Sequence, residues 1–209
     1  MQIKNNIKLL IVCLLGLFLF NFNVIAEEFN ITAKEIVIDK DNETITGEGE
    51  VEAIDSEGRI INANKITYNR SRKFLLAEGE VKINDIDGNI LSADKASFDK
   101  KNGIIITYEK SELILKEGYR LVTKNIYYDT KNKILNSNNY SIFTDNDGNI
   151  IETDAFEYHI KNNLFSSIGK IKITDIKKNK YFFKELHVDT KKKEMIGSDV
   201  SVVLDQKSF

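Results

Sequence analysis

The stretch INANKITYNRSRKFLLAEGEVKINDIDGN, Ile61 to Asn89, decides the fold. Its second run places Leu75, Ala77, Gly79, Val81 and Ile83 at alternate positions, with Leu76, Glu78, Glu80 and Lys82 between them. A period of two buries one face of an extended chain and leaves the other wet, as in an antiparallel strand lying on a core. The first run, with Ile66 and Tyr68, reads as the partner strand, and the Asp87-Gly88 pair tolerates the positive φ that a hairpin turn needs. The unit is therefore two strands and two turns.

Working outward, the same unit recurs every thirty residues: ITAKEIVID from Ile31, INANKITYN from Ile61, LSADKASFD from Leu91, LVTKNIYYD from Leu121 and IETDAFEYH from Ile151. A weaker sixth copy begins YFFKELHVD at Tyr181. The third place holds Ala33, Ala63, Ala93, Thr123 and Thr153; the ninth holds Asp39, Asn69, Asp99, Asp129 and Asp189. Self-similarity at this length marks stacked units, each covering its neighbour's apolar face. Because thirty is even, inward parity is kept from copy to copy. Turns are expected at Asp41-Asn42, Lys101-Asn102-Gly103, Lys131-Asn132 and Lys161-Asn162 at one end, and at Asp87-Gly88 and Asp147-Gly148 at the other. The expected fold is all-β: a twisted jelly roll of two stacked antiparallel sheets, about six repeats and twelve strands, spanning residues 27–209.

Residues 1–26 differ in kind. Lys4 and Lys8 precede an apolar run from Leu9 to Phe20, and Val24-Ile25-Ala26 follows. So short a run does not cross roughly 30 Å of hydrocarbon as a helix, and it reads as a secretory signal peptide cleaved after Ala26. Cys13 would leave with it, so the mature chain would carry no cysteine and be held by its core alone. The remainder carries 28 Lys and Arg against 32 Asp and Glu, interspersed, a net of −4. No broad basic face is offered to nucleic acid.

Inward parity also contains small residues, Gly47, Gly49, Ala53, Ala77 and Gly79, among Ile45, Val51, Leu75, Val81 and Ile83. They imply either close sheet packing with bulges at glycine, or a slot for an extended apolar ligand. By parity the residues placed to line such a slot are Ile45, Val51, Ile66, Tyr68, Leu75, Val81, Ile83 and Phe98.

The pattern AxxIxYD, then AxGxVxI, then a DG turn resembles the OstA-like domain of lipopolysaccharide transport, a family that includes the periplasmic bridge protein LptA and the N-terminal domain of LptD. The closing stretch ELHVDTKKKEMIGSDVSVVLDQKSF is more similar to the end of the LptD N-terminal domain. The resemblance implies a jelly roll whose interior takes acyl chains of lipopolysaccharide, working in the periplasm near the outer membrane. Implied partners are other jelly-roll transport proteins, and an outer-membrane β-barrel or the chain's own barrel domain. The chain departs from LptD in its lack of mature cysteines and in having no barrel after Phe209, so it reads as a shortened LptD-like chain or a free-standing bridge.

A stack of antiparallel strands that does not close has two unpaired edges, which accept further strands unless blunted. The residues expected to dock partners there are Ile36, Val37 and Ile38 at one end, and Val200 and Val202 at the other. Catalytic chemistry finds no support in spacing. Nothing in their spacing makes His159 and His187 converge with carboxylates, and Ser111, Ser137 and Ser141 have no nearby partner for a triad. Asp85 to Asn89 and Asp145 to Asn149 mimic the start of a calcium loop, but Ala96 and Phe156 stand where its bidentate Glu belongs. No cofactor, metal or catalytic residue is assigned. The alternative function is a structural or adhesive β-solenoid with a filled core and closed coils. A repeat-built carbohydrate-active enzyme would need a cluster of acids on one face. Tyr68, Tyr108, Tyr127, Tyr128, Tyr140 and Tyr158 read as strand packing rather than a sugar-binding stripe.

Overall fold

The computed structural model describes residues 29–205, so the expected signal peptide and the last four residues lie outside it. Seventeen strands follow one another: β1 (Phe29–Thr32), β2 (Glu35–Asp39), β3 (Thr44–Asp55), β4 (Ile60–Asn69), β5 (Phe74–Asn84), β6 (Ile90–Asp99), β7 (Ile104–Ile114), β8 (Arg120–Lys124), β9 (Tyr127–Asp129), β10 (Ile134–Ser137), β11 (Ser141–Thr144), β12 (Ile150–Thr153), β13 (Phe156–His159), β14 (Leu164–Thr174), β15 (Lys180–Asp189), β16 (Glu194–Ser198) and β17 (Ser201–Val203). The chain makes twelve passes, two per repeat as the turn spacing predicts; five passes are broken in the middle, which gives seventeen strands.

Every pairing is antiparallel, and each pass bends near its centre. One half of every pass joins a first wall, running from β2 through the starts of β3 and β5 to β16. The other half joins a second wall, from β1 through the ends of β3 and β5 to β17. The two walls are thus one continuous sheet folded on itself, a jelly roll with a crease along one side. Along the opposite side the turns of the two walls form a seam.

The crease explains the small residues. Register shifts fall between Glu48 and Val51, and between Glu78 and Val81, where Gly49 and Gly79 take φ of +77°. These glycines are therefore bulge residues that fold the strand, not members of the inward row. A Cβ on Gly79 would stand 2.8 Å from Asn64 Nδ2. Gly47 stays inward, where a Cβ would press on Val51 and Ala33.

The turns carry the second periodic signal. At one set of tips, Asp39, Asp99 and Asp129 each hold the Asn three residues on, accepting from its backbone N–H and its side-chain amide at 2.6–3.0 Å. At the other set, Asp85, Asp145 and Asp175 hold Asn89, Asn149 and Asn179 in the same two-handed way. The acidic loops are turn clamps, as their missing twelfth ligand implied. Bonds such as Lys100 N–H to Lys73 O and Thr130 N–H to Gly103 O then tie successive turns along the axis.

The core fills the space between the walls. Phe98, Ile61, Ile66, Leu75, Ile105, Ile126, Leu135 and Leu186 are fully buried, each burial stabilising by about 1.5–3 kcal/mol. Aromatic rings meet across the gap: Phe29 on Tyr68 and Phe98, and Phe143 on Phe156 and Phe165.

Candidate functional site

Of the eight residues placed by parity at a ligand slot, Val51, Ile66, Tyr68, Leu75, Val81, Ile83 and Phe98 are buried in one cluster with the rest of the core. Ile45 is half-buried, near the open end of its wall. Parity therefore found the inward row, and among the described residues that row packs against its counterpart. A small cavity remains between the walls, about 20 Å³, lined by Arg59, Ile83, Asp85, Asn89, Leu91, Ile105, Leu113, Leu115, Tyr128, Leu135 and Ile160. That is room for about one water molecule, so any acyl chain requires the walls to part.

Where they part is set by how each side is held. The crease is crossed by the backbone itself. The seam is crossed by side chains: Lys100 reaches Asp55 and Glu57 (both 3.0 Å), Lys133 reaches Asp87 (3.2 Å) and Lys193 reaches Asp147 (3.7 Å). The first station is the strongest. Asp55 is fully buried and binds Arg59 Nη1 at 2.6 Å, while Arg59 and Lys100 both lie over the Phe98 ring. Arg59 Nε is the one buried side-chain polar atom without a partner among the described residues. The Lys100 ammonium holds the Glu57 carboxyl below its usual range. Of the other two pairs, Lys133–Asp87 is half-exposed and Lys193–Asp147 largely exposed, and each contributes about 0–1 kcal/mol.

The crease changes character along the axis. In the first two repeats it is lined by Gly47, Val51, Ala63, Ala77 and Val81; at the same places further on stand Thr107, Ser111, Thr123, Ser137, Ser141, Thr153 and Ser167, all buried. Their hydroxyls serve the backbone. Thr107 Oγ1 accepts from Ile126 N–H (2.9 Å), Ser137 Oγ donates to Lys124 O (2.7 Å), and Ser167 Oγ donates to Ala155 O (2.7 Å). Side chains thereby replace ladder bonds, and passes seven to nine break into β8/β9, β10/β11 and β12/β13. The serines read in sequence as lacking a catalytic partner are therefore structural.

Both ends of the sheet are unpaired among the described residues: β1 and β2 bond only to β3, and β16 and β17 only to β15. Ile36, Val37 and Ile38 are exposed on β2, as is Val202 on β17. Val200 is also exposed but lies in the break between β16 and β17, off the paired strand. Sequence reading missed Met195 and Ile196, exposed on β16. Pairing with Val188 and His187 puts them on opposite faces of one edge.

Of the tyrosines, Tyr68, Tyr128 and Tyr158 are buried at equivalent places of three repeats, whereas Tyr108, Tyr127 and Tyr140 are exposed. One Ser–His–acid chain escaped the sequence reading: Ser166 Oγ lies 3.0 Å from His187 Nδ1, and Nε2 is 2.9 Å from Glu185. It lies on the outer face of a flat wall, and neighbouring strands pair Ser166 on both sides, leaving no cleft or free N–H pair for an oxyanion. His159 contacts Glu157 in its own strand. Among the described residues no three His, Cys, Asp or Glu side chains converge on a metal position.

No protein-family model matches the chain, and no curated protein matches it. Among solved structures it is similar to LptH of Pseudomonas aeruginosa, described as the LptA-homologous periplasmic component of the lipopolysaccharide transport device. The identity is 10%, 85% of this chain and 94% of that chain are covered, and the TM-score is 0.26.

Proposed function

We propose that this protein is a non-enzymatic carrier of acyl lipid, a periplasmic module of lipopolysaccharide transport associated with the outer membrane. The observation that carries the reading is the unequal closure of the roll. An apolar interior is bounded on one side by a continuous backbone ladder and on the other only by turns and a few ion pairs, so the walls can part without breaking the sheet. Val51, Ile66, Tyr68, Leu75, Val81, Ile83 and Phe98 would line the opened interior, with Ile45 at its end. The resemblance of the repeat pattern to OstA-like domains supports lipopolysaccharide as the cargo.

The exposed edges support end-to-end docking with partner jelly rolls or an outer-membrane barrel, through Ile36, Val37 and Ile38 at one end and Val202 at the other. Open ends of different chemistry join head to tail into a bridge rather than a ring. A filled core also suits the structural alternative. Closed coils, however, need parallel stacking, and every pairing here is antiparallel.

The test is mass spectrometry of lipid recovered with the exported protein under mild extraction. Lipid A species are expected; recovery of no amphiphile under several such conditions favours the structural reading. Val37→Pro is expected to weaken partner assembly by cross-linking while leaving the melting temperature nearly unchanged, and undiminished assembly would remove edge docking.

A further inference from the structure

The seam contains one station unlike the rest. Cross-wall ion pairs recur where an acidic turn residue of one wall meets the last turn residue of the other, Asp87 with Lys133 and Asp147 with Lys193. Midway between them the same positions hold Glu117 and Asn163, which cannot make such a pair. The turns that carry them are also exceptions. Where the sister turns have Asp85–Asn89, Asp145–Asn149 and Asp175–Asn179 clamps, this one has Leu115 and Tyr119. On the opposite wall the clamping Asp is replaced by His159, which makes no capping bond to the short 3-10 turn Ile160–Asn162. Leu115 and Ile160 line the same cavity from opposite walls, so the two exceptional turns face each other above it. Beneath them the lining is aliphatic on one side, from Leu113, Leu135, Ile105, Leu91 and Ile83, and is closed on the other by Tyr128, Arg59 and the Asp85–Asn89 clamp of the neighbouring turn.

We propose that this station, Leu115 and Tyr119 against Ile160, is the portal through which a single long acyl chain passes between the walls. The inference rests on the carrier reading above and adds the place of entry. At every other station, separating the turns exposes polar clamps and separates opposite charges. Here it exposes apolar side chains to an apolar chain, which replaces the contacts they lose. Tyr119 and Ile160 are each packed against the core from a half-exposed position, as residues at a mouth would be.

The experiment follows uptake of cis-parinaric acid, a polyene fatty acid that fluoresces in apolar surroundings, by stopped flow into the full mature chain. The variant Leu115→Asp/Tyr119→Asn grafts the sister clamp onto the exceptional turn. It should load roughly tenfold more slowly or worse, reaching the same final signal, because only the barrier is changed. A second pair of variants guards against a folding defect. Glu117→Cys/Asn163→Cys joined by a short bismaleimide should block loading, and Asp147→Cys/Lys193→Cys joined likewise should not. No fluorescence with the unmodified chain would overturn the carrier reading itself. Loading at the unmodified rate in the grafted or Glu117/Asn163-linked protein, or equal slowing by both links, would overturn the portal and leave the carrier reading intact.

Discussion

The two halves of the roll solve the same bend by different chemistry. In the N-terminal half, Gly49 and Gly79 supply positive φ and Ala63 and Ala77 let the walls approach, so β3 to β6 bend but stay continuous. In the C-terminal half, Thr107, Ser137, Ser141, Thr153 and Ser167 bring hydroxyls into the bend; β8/β9, β10/β11 and β12/β13 break there, while β7 and β14 run through it. The first solution keeps backbone paired with backbone. The second transfers that pairing to side chains, which places more turns and strand ends in the half where the seam is held by exposed pairs. Two kinds of bend follow from which residues occupy a few thirty-spaced positions.

The largest effect is expected at the ion cluster of the N-terminal half. Asp55→Ala strands Arg59 and Lys100 beside Phe98 and should cost about 3–5 kcal/mol in urea unfolding. Lys193→Ala in the C-terminal half should cost under about 0.5 kcal/mol, because both partners of its pair are mostly exposed. Comparable losses would erase the distinction. Next in size are the creases themselves. Gly79→Val forces a branched side chain into a left-handed bulge against Asn64 and should cost about 1–3 kcal/mol. Ser137→Ala should cost a similar 1–3 kcal/mol, through an under-bonded Lys124 carbonyl. If the serine substitution is silent, hydroxyls do not hold that crease.

Acid should act on both halves alike. Backbone N–H donation from Asn102 and Asn132, chiefly, holds Asp99 and Asp129 below the usual carboxylate range. A depressed folded pKa gives stability that is present above the unfolded value, about 3.9, and is lost as pH falls through the folded one. Stability measured from pH 7 downward should therefore fall below about pH 4, and less steeply in an Asp99→Asn/Asp129→Asn variant. The smallest effect is spectroscopic. The Tyr140 hydroxyl donates to Glu152, which pushes its pKa up to about 12. Glu152→Gln should return the phenolate absorbance midpoint toward about 10, and no movement would remove that bond.

Much of this was legible in the chain. Alternation at Leu75, Ala77, Val81 and Ile83 reports burial of one face, and Asp-Gly and Asn-Gly pairs report turns, because both signals depend only on neighbouring residues. Gly49 and Gly79 were misread as inward because parity counting assumes an unbroken strand, and a bulge is where that assumption fails. Ser166 with His187 went unseen for another reason: twenty-one residues separate them, and only sheet register brings them together.

By itself the sequence determined the repeat, the twelve antiparallel passes, the inward row and the turn positions, since each follows from local periodicity and backbone preference. Only the tertiary structure decided that the passes fold along a crease, that the inward row fills its own space, and that the unclamped turns at Leu115 and Ile160 face one another. Those outcomes depend on the bend and twist accumulated over many strands, which sets what meets across the gap and which no single segment encodes.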